Sequence, residues 1–173
     1  MLCKIIIVFL LILYPSYSMG LSEKYKTHFK KNIIFFSQAK TKYVWGGKGD
    51  LKEDVYQLDC SGFLYKAASM AGIPVKRSTA FNMAMGLDGW TSKKILLDDV
   101  DETDVVFWTW KTSPSRINGH VGALVVSPSS DLLEVCHASA SKQRVIINQL
   151  KGVFLKDISC IRRLTLGDKK NGK

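Results

Sequence analysis

A cysteine at the start of a predicted helix is the first residue of this sequence that could carry out chemistry. Cys60 lies in the hexapeptide LDCSGF (58–63), directly after an acid and before a serine and a glycine. The unpaired N–H groups and the positive end of the dipole in the first turn of a helix favour a thiolate. The backbone N–H of Cys60 could also stabilise an oxyanion during acyl transfer. This local argument leaves a nucleophile and a buried structural cysteine both open.

Two histidines could supply the base that a cysteine nucleophile needs, together with the group that fixes the tautomer of that base. His120 opens the apolar segment HVGALVVS, and His137 lies near the end of the segment LLEVCHAS. An antiparallel hairpin through the residues SPSSD would bring the two side by side. Either histidine alone could equally be a structural residue, with its ring hydrogen-bonded in the core or exposed to solvent. The pair, following a cysteine at a helix start, favours a Cys–His–His site.

Three helices are predicted before the two histidines, and the second of them carries Cys60 at its start. The first runs from its cap, Ser22, to about Ala39, because large apolar residues recur every three or four positions. The second begins after an acidic cap at Asp59 and is ended by the Gly72 and Pro74 region. A shorter third helix follows through TAFNMAMG, whereas TKYVWGGKGDLKEDVYQL between the first two is predicted to be a loop around a short extended piece.

The second half of the chain has the pattern of strands. Short segments rich in β-branched residues are separated by Ser, Pro, Gly or Lys, and they read DVVFWTW, HVGALVVS, LLEVCHAS, RVIINQL and DISCIRRL. Helices followed by an antiparallel sheet of about five strands indicate an α+β fold in one globular unit.

The first residues, MLCKIIIVFLLILYPSYS, have the pattern of a secretory signal peptide. Lys4 precedes an apolar run, which Pro15 ends before the small residues Ser16 and Ser18. A spanning helix needs about 20 apolar residues, and this run is about half as long. We therefore expect cleavage after Ser18 rather than an uncleaved anchor, a single domain over 19–173, no stable membrane insertion after cleavage, and a periplasmic or extracellular location.

Composition and charge limit the class of protein and of partner. With 46% hydrophobic and 23% charged residues among 173, the chain can bury one core of ordinary size. The formal net charge of +10 favours an anionic partner such as a cell-wall polymer or lipid head groups. The sequence contains no nucleic-acid-binding motif, so no nucleic-acid partner is expected, and we expect a monomer.

Cleavage would leave three cysteines, an odd number that does not suit a disulfide scaffold. On an alternating strand Cys136 points to the face opposite His137, which favours a core position. A disulfide between Cys136 and Cys160 is left open but disfavoured, since strand neighbours rarely meet the required geometry.

Several segments, in order, resemble one known family, the NlpC family of cell-wall cysteine peptidases. They are YVWGG (43–47), LDCSGFLYKAASMAGI (58–73), RST (77–79), DVVFW (104–108), HVGALV (120–125) and CHAS (136–139). The resemblance implies a papain-like α+β fold. It also implies that Cys60 is the nucleophile, that His120 is the general base and then the general acid, and that His137 orients His120.

The same resemblance implies a substrate groove and a reaction. A hydroxyl from Tyr43 would lie near the oxyanion, and four motif residues would line the groove: Asp59, Ser61, Arg77 and Ser78. Asp59 is equally explained as a helix cap and Arg77 as a surface charge, while Trp45 would shape the groove wall. The implied reaction is hydrolysis of a peptidoglycan stem amide, typically γ-D-glutamate to diamino acid, through a Cys60 acyl-enzyme with no metal or other cofactor.

Departures from the family pattern leave other readings open. Thr103 stands where the family commonly has a glycine, and the segments WTWKTSPSRING and SPSSDLLEV look long. The alternatives are an N-acetylmuramoyl-L-alanine amidase, a thiol acyltransferase or an inactive binding module on the same fold, and a metal-dependent amidase with His120 and His137 as ligands. An interbacterial toxin with a cognate inhibitor or immunity protein would share the same residues.

Overall fold

The computed structural model describes residues 21–88, 90, 92–109, 115, 117–126 and 133–165. The expected signal peptide, residues 1–18, lies outside the described residues, and so does most of the long segment before His120. Within the described residues, no helix combines the length and the apolar character needed to cross a membrane. The single-domain boundary at residue 19 stays a prediction.

The three predicted helices are present. The helices of the described residues are α1 (Glu23–Gln38), α2 (Cys60–Met70), α3 (Ala80–Ala84) and α4 (Val153–Lys156). Ser22 is the N-cap of α1, as predicted, although its side chain makes no capping hydrogen bond. α4 was not predicted, because four residues are too few to show a helical period.

A six-stranded antiparallel sheet forms the second half of the fold, in the order β4-β9-β5-β6-β7-β8. Its strands are β4 (Ser92–Ile95), β5 (Val105–Trp108), β6 (His120–Val126), β7 (Leu133–Ser139), β8 (Arg144–Gln149) and β9 (Ile158–Leu164). The five predicted strands are β5 to β9, which confirms the α+β fold. The sixth, β4, was missed because its lysines hide the apolar alternation, as is common for an edge strand.

A small second sheet lies where the sequence predicted mostly loop. It contains β1 (Thr41–Tyr43), β2 (Lys48–Lys52) and β3 (Val55–Leu58), with β3 in the middle. β1 runs parallel to β3, so Tyr43 lies opposite Leu58, and β2 runs antiparallel to β3. The loop prediction failed because such short, charged strands have no clear apolar period. β3 leads the chain directly into Asp59 and Cys60.

The main core lies between one face of the large sheet and helices α1 and α2. Phe29, Ile33 and Phe36 of α1 are fully buried in it, as are Ala67 and Ala68 of α2. The small alanine side chains allow α2 to pack closely against the core. A second apolar cluster covers the other face of the sheet and includes Trp108 and Leu124. Burial on both faces makes the sheet a rigid support for residues at its strand ends.

The cysteines of the described residues are all free thiols. Cys136 is fully buried on β7, which confirms its predicted place in the core. Cys160 lies on β9, and two strands, β5 and β6, separate β9 from β7. Strands lie ~4.8 Å apart, so the two cysteines are far beyond the ~7 Å between Cα atoms that a disulfide allows.

The residue that replaces the usual family glycine adopts a left-handed backbone conformation. Thr103 has a φ of 73°, and its N–H donates to the carbonyl of Leu124 at 3.0 Å. A β-branched residue rarely adopts this conformation, whereas glycine does so at little cost. The replacement of glycine by Thr103 therefore strains the backbone just before β5. The hydrogen bond from Thr103 to Leu124 of β6 stabilises this conformation.

Candidate active site

Cys60 is the first residue of α2, where the sequence placed it. Asp59 caps the helix, because its Oδ1 accepts a hydrogen bond from the N–H of Gly62 at 2.6 Å. Backbone hydrogen bonds from Ser61 and Val121 reach the Cys60 thiol. Since Val121 follows His120 on β6, this contact brings the start of α2 to the start of the histidine-bearing strand.

Gly62 explains how the helix can approach the YVWGG segment. A Cβ on Gly62 would overlap the carbonyl oxygen of Gly47. That same carbonyl accepts the N–H of Asp59 at 3.1 Å. This close approach fixes the position of Cys60 relative to the turn that carries Trp45.

The two histidines form a hydrogen-bonded relay that ends on an asparagine. His120 Nε2 lies 2.8 Å from His137 Nδ1, and His137 Nε2 lies 3.0 Å from Oδ1 of Asn148. An amide oxygen only accepts, so His137 must donate through Nε2 and accept through Nδ1. His120 then donates through Nε2, which leaves the lone pair of a neutral His120 on Nδ1. That nitrogen is the basic one.

Asn148 was missed by the sequence analysis. It lies on β8, where it pairs with Val135 of β7, two residues from His137. The available signal was an amide directly after the apolar residues VII (145–147), on the strand expected to follow the histidine-bearing one. The partner of His137 could not be identified from the sequence, because sequence alone does not give the register between β7 and β8.

Gly122 makes room for the relay on β6. A Cβ at this position would lie 3.0 Å from Cβ of His137 and 2.9 Å from the carbonyl oxygen of Cys136. The predicted antiparallel pairing of β6 and β7 is present, with Ala123 opposite Cys136. The glycine of the HVG motif therefore allows the histidine of the neighbouring strand to lie against β6.

An aromatic wall covers the histidine pair. The Trp108 ring lies 5.5 Å from the His120 ring, and the Phe154 ring lies 5.3 Å from the His137 ring, measured between centroids. Trp108 Nε1 donates to the backbone oxygen of Phe154 at 2.6 Å, which ties α4 to β5. Trp108 is fully buried. Phe154 belongs to the unpredicted α4, so its place beside the relay was not foreseen.

Burial keeps the reacting groups neutral. Desolvation, reinforced by the charge of Asp59, raises the pKa of Cys60 to about 11, against the backbone hydrogen bonds and Arg77, which lower it. Desolvation and then the neighbouring His137 lower the pKa of His120 to about 3. At neutral pH the resting site is a thiol beside a neutral imidazole. The start of the helix favours a thiolate, whereas desolvation, the largest cause of the shift, raises the pKa of Cys60 and favours the thiol.

Three of the four predicted groove residues form a network around the Asp59 carboxylate. Oδ1 accepts from Ser61 Oγ at 2.9 Å, and Oδ2 accepts from Arg77 Nη2 at 2.7 Å and from the N–H of Gly46 at 3.0 Å. Arg77 also donates to Ser61 Oγ and to the carbonyl of Ser78. Asp59 thus acts as a cap and as an anchor for Arg77, which is more than a surface charge.

A groove of about 670 Å³ opens beside Cys60. The described residues that line it are Trp45, Gly46, Asp59, Cys60, Ser61, Arg77, Ser78, Thr79, Ala80, Phe81, Asn82, Asp88, Asn118 and Gly119. Trp45 forms part of the wall, as expected. Tyr43 lies at the end of β1 opposite Leu58, and its role near an oxyanion stays a prediction. Phe81, Asn82 and Asp88 were not singled out from the sequence.

The histidine nitrogens are directed at each other rather than at a shared point. Among the described residues, no group of three His, Cys, Asp or Glu side chains is arranged to hold a metal ion. The arrangement suits proton transfer between Cys60 and His120, with His137 and Asn148 fixing the tautomer.

Known structures share this fold. A protein from Staphylococcus aureus Mu50 described as similar to a lipoprotein of the NLP/P60 family aligns over 87% of this chain with a TM-score of 0.64 and 15% identity. This chain spans 44% of the staphylococcal chain, less than two thirds of its length. No curated protein matches the sequence.

Two mycobacterial structures are also similar. The peptidoglycan hydrolase RipB of Mycobacterium tuberculosis aligns over 84% of this chain and 69% of its own, at 17% identity and a TM-score of 0.56. RipD of the same organism, described as a non-catalytic NlpC/p60 domain protein adapted to peptidoglycan binding, aligns over 78% and 95%, at 12% identity and a TM-score of 0.50. These likenesses show the fold.

A family profile extends the match to the sequence. The NlpC/P60 family profile covers residues 40–163, which is more than half of the chain. The matched range runs from the residue before β1 into β9, and it includes Cys60, both histidines of the relay and Asn148. The chain belongs to the NlpC/P60 family.

Proposed function

We propose that this protein is a cysteine peptidase that cleaves an amide in the stem peptide of peptidoglycan through an acyl-enzyme on Cys60. The observation that carries the proposal is the ordered relay Asn148–His137–His120, since the residue after His120, Val121, makes a backbone hydrogen bond to the Cys60 thiol at a helix start. Support comes from the family and from RipB, a structural relative described as a peptidoglycan hydrolase.

The first half of the reaction begins from the neutral pair. The Cys60 sulfur attacks the carbonyl carbon of the amide while His120 Nδ1 takes the thiol proton, so that no free thiolate has to be stored in a desolvated site. The N–H of Cys60 stabilises the oxyanion, and Tyr43 is a second candidate donor. The C–N bond then breaks, and His120 returns the proton to the leaving amine.

The low pKa of His120 suits this second step. Once protonated, a buried imidazole with a lowered pKa is a strong acid, and it transfers its proton readily to the leaving nitrogen. His137 accepts the Nε2–H of His120 throughout, so the ring does not turn away. In the second half, His120 deprotonates a water that attacks the thioester, and the proton goes to the Cys60 sulfur as it leaves.

The finer substrate proposal is the bond between γ-D-glutamate and the diamino acid. It rests on the motif residues Asp59, Ser61, Arg77 and Ser78, all of which line the groove next to Cys60. We further propose that residues 1–18 direct export, so that the enzyme meets its substrate in the periplasm or outside the cell.

Digestion of purified sacculi tests the catalytic proposal. The wild-type chain should release shortened muropeptides, detected by mass spectrometry, and Cys60→Ala should release none. Cys160→Ala is the matched control, because this partly buried thiol lies on β9 outside the groove and its loss should leave the products unchanged. Activity should survive a chelator and be lost to a thiol alkylator; the reverse would point to a metal-dependent amidase.

A non-catalytic binding module is the second candidate, because RipD has this fold and is described as adapted to peptidoglycan binding. Sedimentation of wild type and Cys60→Ala with sacculi distinguishes the two. Equal binding with no released peptide from either protein would favour the module. A released product with a new amino group on L-alanine would instead identify an amidase, and transfer of the acyl group to an added amine would identify a transferase.

A further inference from the structure

An aspartate that no part of the mechanism uses lies in the groove wall. Asp88 is exposed and lines the groove that contains Cys60. Its Oδ2 accepts from Ser78 Oγ at 2.7 Å and from Asn82 Nδ2 at 3.2 Å. These hydrogen bonds lower the pKa of Asp88, so the carboxylate is ionised at neutral pH. Two donors on one oxygen hold the group in a fixed direction, and Oδ1 accepts no hydrogen bond from the described residues.

The charges of the groove make this carboxylate stand out. Among the described lining residues, the charged side chains are Asp59, Arg77 and Asp88. Asp59 and Arg77 neutralise each other in a salt bridge of 2.7 Å. Asp88 forms no salt bridge within the described part of the chain. The described lining residues therefore carry a net negative charge, although the whole chain has a formal charge of +10.

We propose that Asp88, held by Ser78 and Asn82, binds a primary ammonium group of the substrate. This inference rests on the proposed function, because the stem peptide is what brings an ammonium group to the groove. A stem can carry one on the side chain of its diamino acid, and one at its N-terminus once it is detached from the glycan. An oriented carboxylate attracts such a group at short range and accepts its hydrogen bonds.

The nearest competing cation is on the protein itself. Lys76 contributes to the electrostatic environment of Asp88, and its backbone N–H donates to the carbonyl of Asp88 at 3.2 Å. Lys76 is exposed and does not line the groove. Lys76 therefore lies outside the groove lining to which Asp88 belongs, and it does not occupy the groove as a competing cation.

The alternative role for Asp88 is to stabilise the turn after α3, and one substitution separates the two. Asp88→Asn removes the charge but keeps a side-chain oxygen that accepts from Ser78. Asparagine also tolerates the left-handed conformation of this residue, whose φ is 57°. Asp54→Asn is the matched control, because Asp54 is an exposed aspartate with a φ of 60° in the β2–β3 turn, outside the groove.

The test uses three versions of one stem tetrapeptide: with both amines free, with the N-terminus acetylated, and with the side-chain amine acetylated. Asp88→Asn should raise KM for the free peptide about fivefold, as expected for loss of an ion pair at the rim of a groove. Asp54→Asn should leave KM unchanged. In the wild type, acetylating the amine that Asp88 contacts should also raise KM about fivefold. In Asp88→Asn the same acetylation should cause no further rise in KM.

The acetylated position that causes the loss identifies the source of the ammonium group. Equal KM values for all three peptides in the wild type would overturn the subsite. This comparison uses only the wild-type protein, so it does not depend on whether a variant folds. Equal losses on acetylation in wild type and Asp88→Asn would also overturn it.

Binding measurements separate this inference from the proposed function. Calorimetry with Cys60→Ala measures the affinity for the same three peptides without any cleavage. We expect Cys60→Ala to bind the peptide with the free amine more tightly than the acetylated peptide, and the double variant Cys60→Ala/Asp88→Asn to show no such preference. This result would support the subsite even if the wild type cleaved no peptide. In that case the hydrolase proposal alone would fail.

Discussion

Asn148 Oδ1 lies 3.0 Å from Nε2 of His137, and this contact determines which nitrogen of the site is basic. The amide oxygen forces a proton onto His137 Nε2, so His137 Nδ1 accepts from His120, 2.8 Å away. The lone pair of His120 is thereby placed on Nδ1. The order of the relay therefore follows from an uncharged residue on an edge strand of the sheet.

Removing this amide should reduce turnover more than binding. Asn148→Ala should lower kcat about 100-fold with little change in KM, because the wrong tautomer of His120 cannot take the thiol proton. Steady-state kinetics on a stem peptide checks this. Gln149→Ala, on the opposite face of the same strand, should keep wild-type kcat; an equal loss in both variants would indicate general damage to β8.

Alkylation should report the raised pKa of Cys60. Because burial raises that pKa to about 11, the rate of iodoacetamide labelling at Cys60 should rise about tenfold per pH unit between about pH 7 and 10. Peptide mapping by mass spectrometry distinguishes Cys60 from the other thiols. A rate that is already at its plateau near neutral pH would show a stored thiolate–imidazolium pair instead.

The buried histidine should also link stability to pH. The pKa of His120 falls from 6.5 when unfolded to about 3 when folded. Between these values the unfolded chain binds the extra proton, so the contribution of His120 to stability is complete above about pH 6.5 and is lost as the pH falls. Urea unfolding at several pH values should show a shallower acid loss in His120→Gln than in the wild type. Identical slopes would contradict the buried, neutral state.

The aromatic wall should set the proton affinity of the relay. Phe154→Ala should admit water to the His137 side, raise the pKa of His120 toward its ordinary value, and move the acid limb of the kcat/KM profile to higher pH. Val153→Ala, on the same short helix and 62% exposed, is the matched control. If Phe154→Ala lowered kcat/KM at every pH without moving the acid limb of the profile, the role of Phe154 would be structural only.

The approach of α2 to the YVWGG turn should tolerate no side chain at Gly62. Gly62→Ala should reduce the free energy of unfolding by at least about 2 kcal/mol, because the added Cβ overlaps the Gly47 carbonyl oxygen and the backbone must move. Chemical denaturation measures this loss. Ser69→Ala, at an exposed position of the same helix, should change stability by less than about 0.5 kcal/mol.

The sequence supports the local features of this site well. The positions of Asp59 and Cys60 are predictable because a helix cap depends on residues that are adjacent in sequence. The proximity of the two histidines is predictable from the antiparallel hairpin that joins their strands. Asn148 and Phe154 depend on strand register and on a one-turn helix, neither of which leaves a periodic pattern. The raised pKa of Cys60 could not be predicted, because a helix start can be recognised in a sequence, whereas desolvation arises only once the fold buries the thiol.

The most direct test of the central proposal is the mass of the products formed from one stem tetrapeptide, L-alanyl-γ-D-glutamyl-diamino acid-D-alanine. The wild-type chain should produce two dipeptides, with the new amino group on the diamino acid, and Cys60→Ala should leave the tetrapeptide intact under the same conditions. Cleavage by Cys60→Ala, or a tetrapeptide left intact by a folded wild type, would contradict the proposal that Cys60 is the nucleophile of a stem-peptide hydrolase.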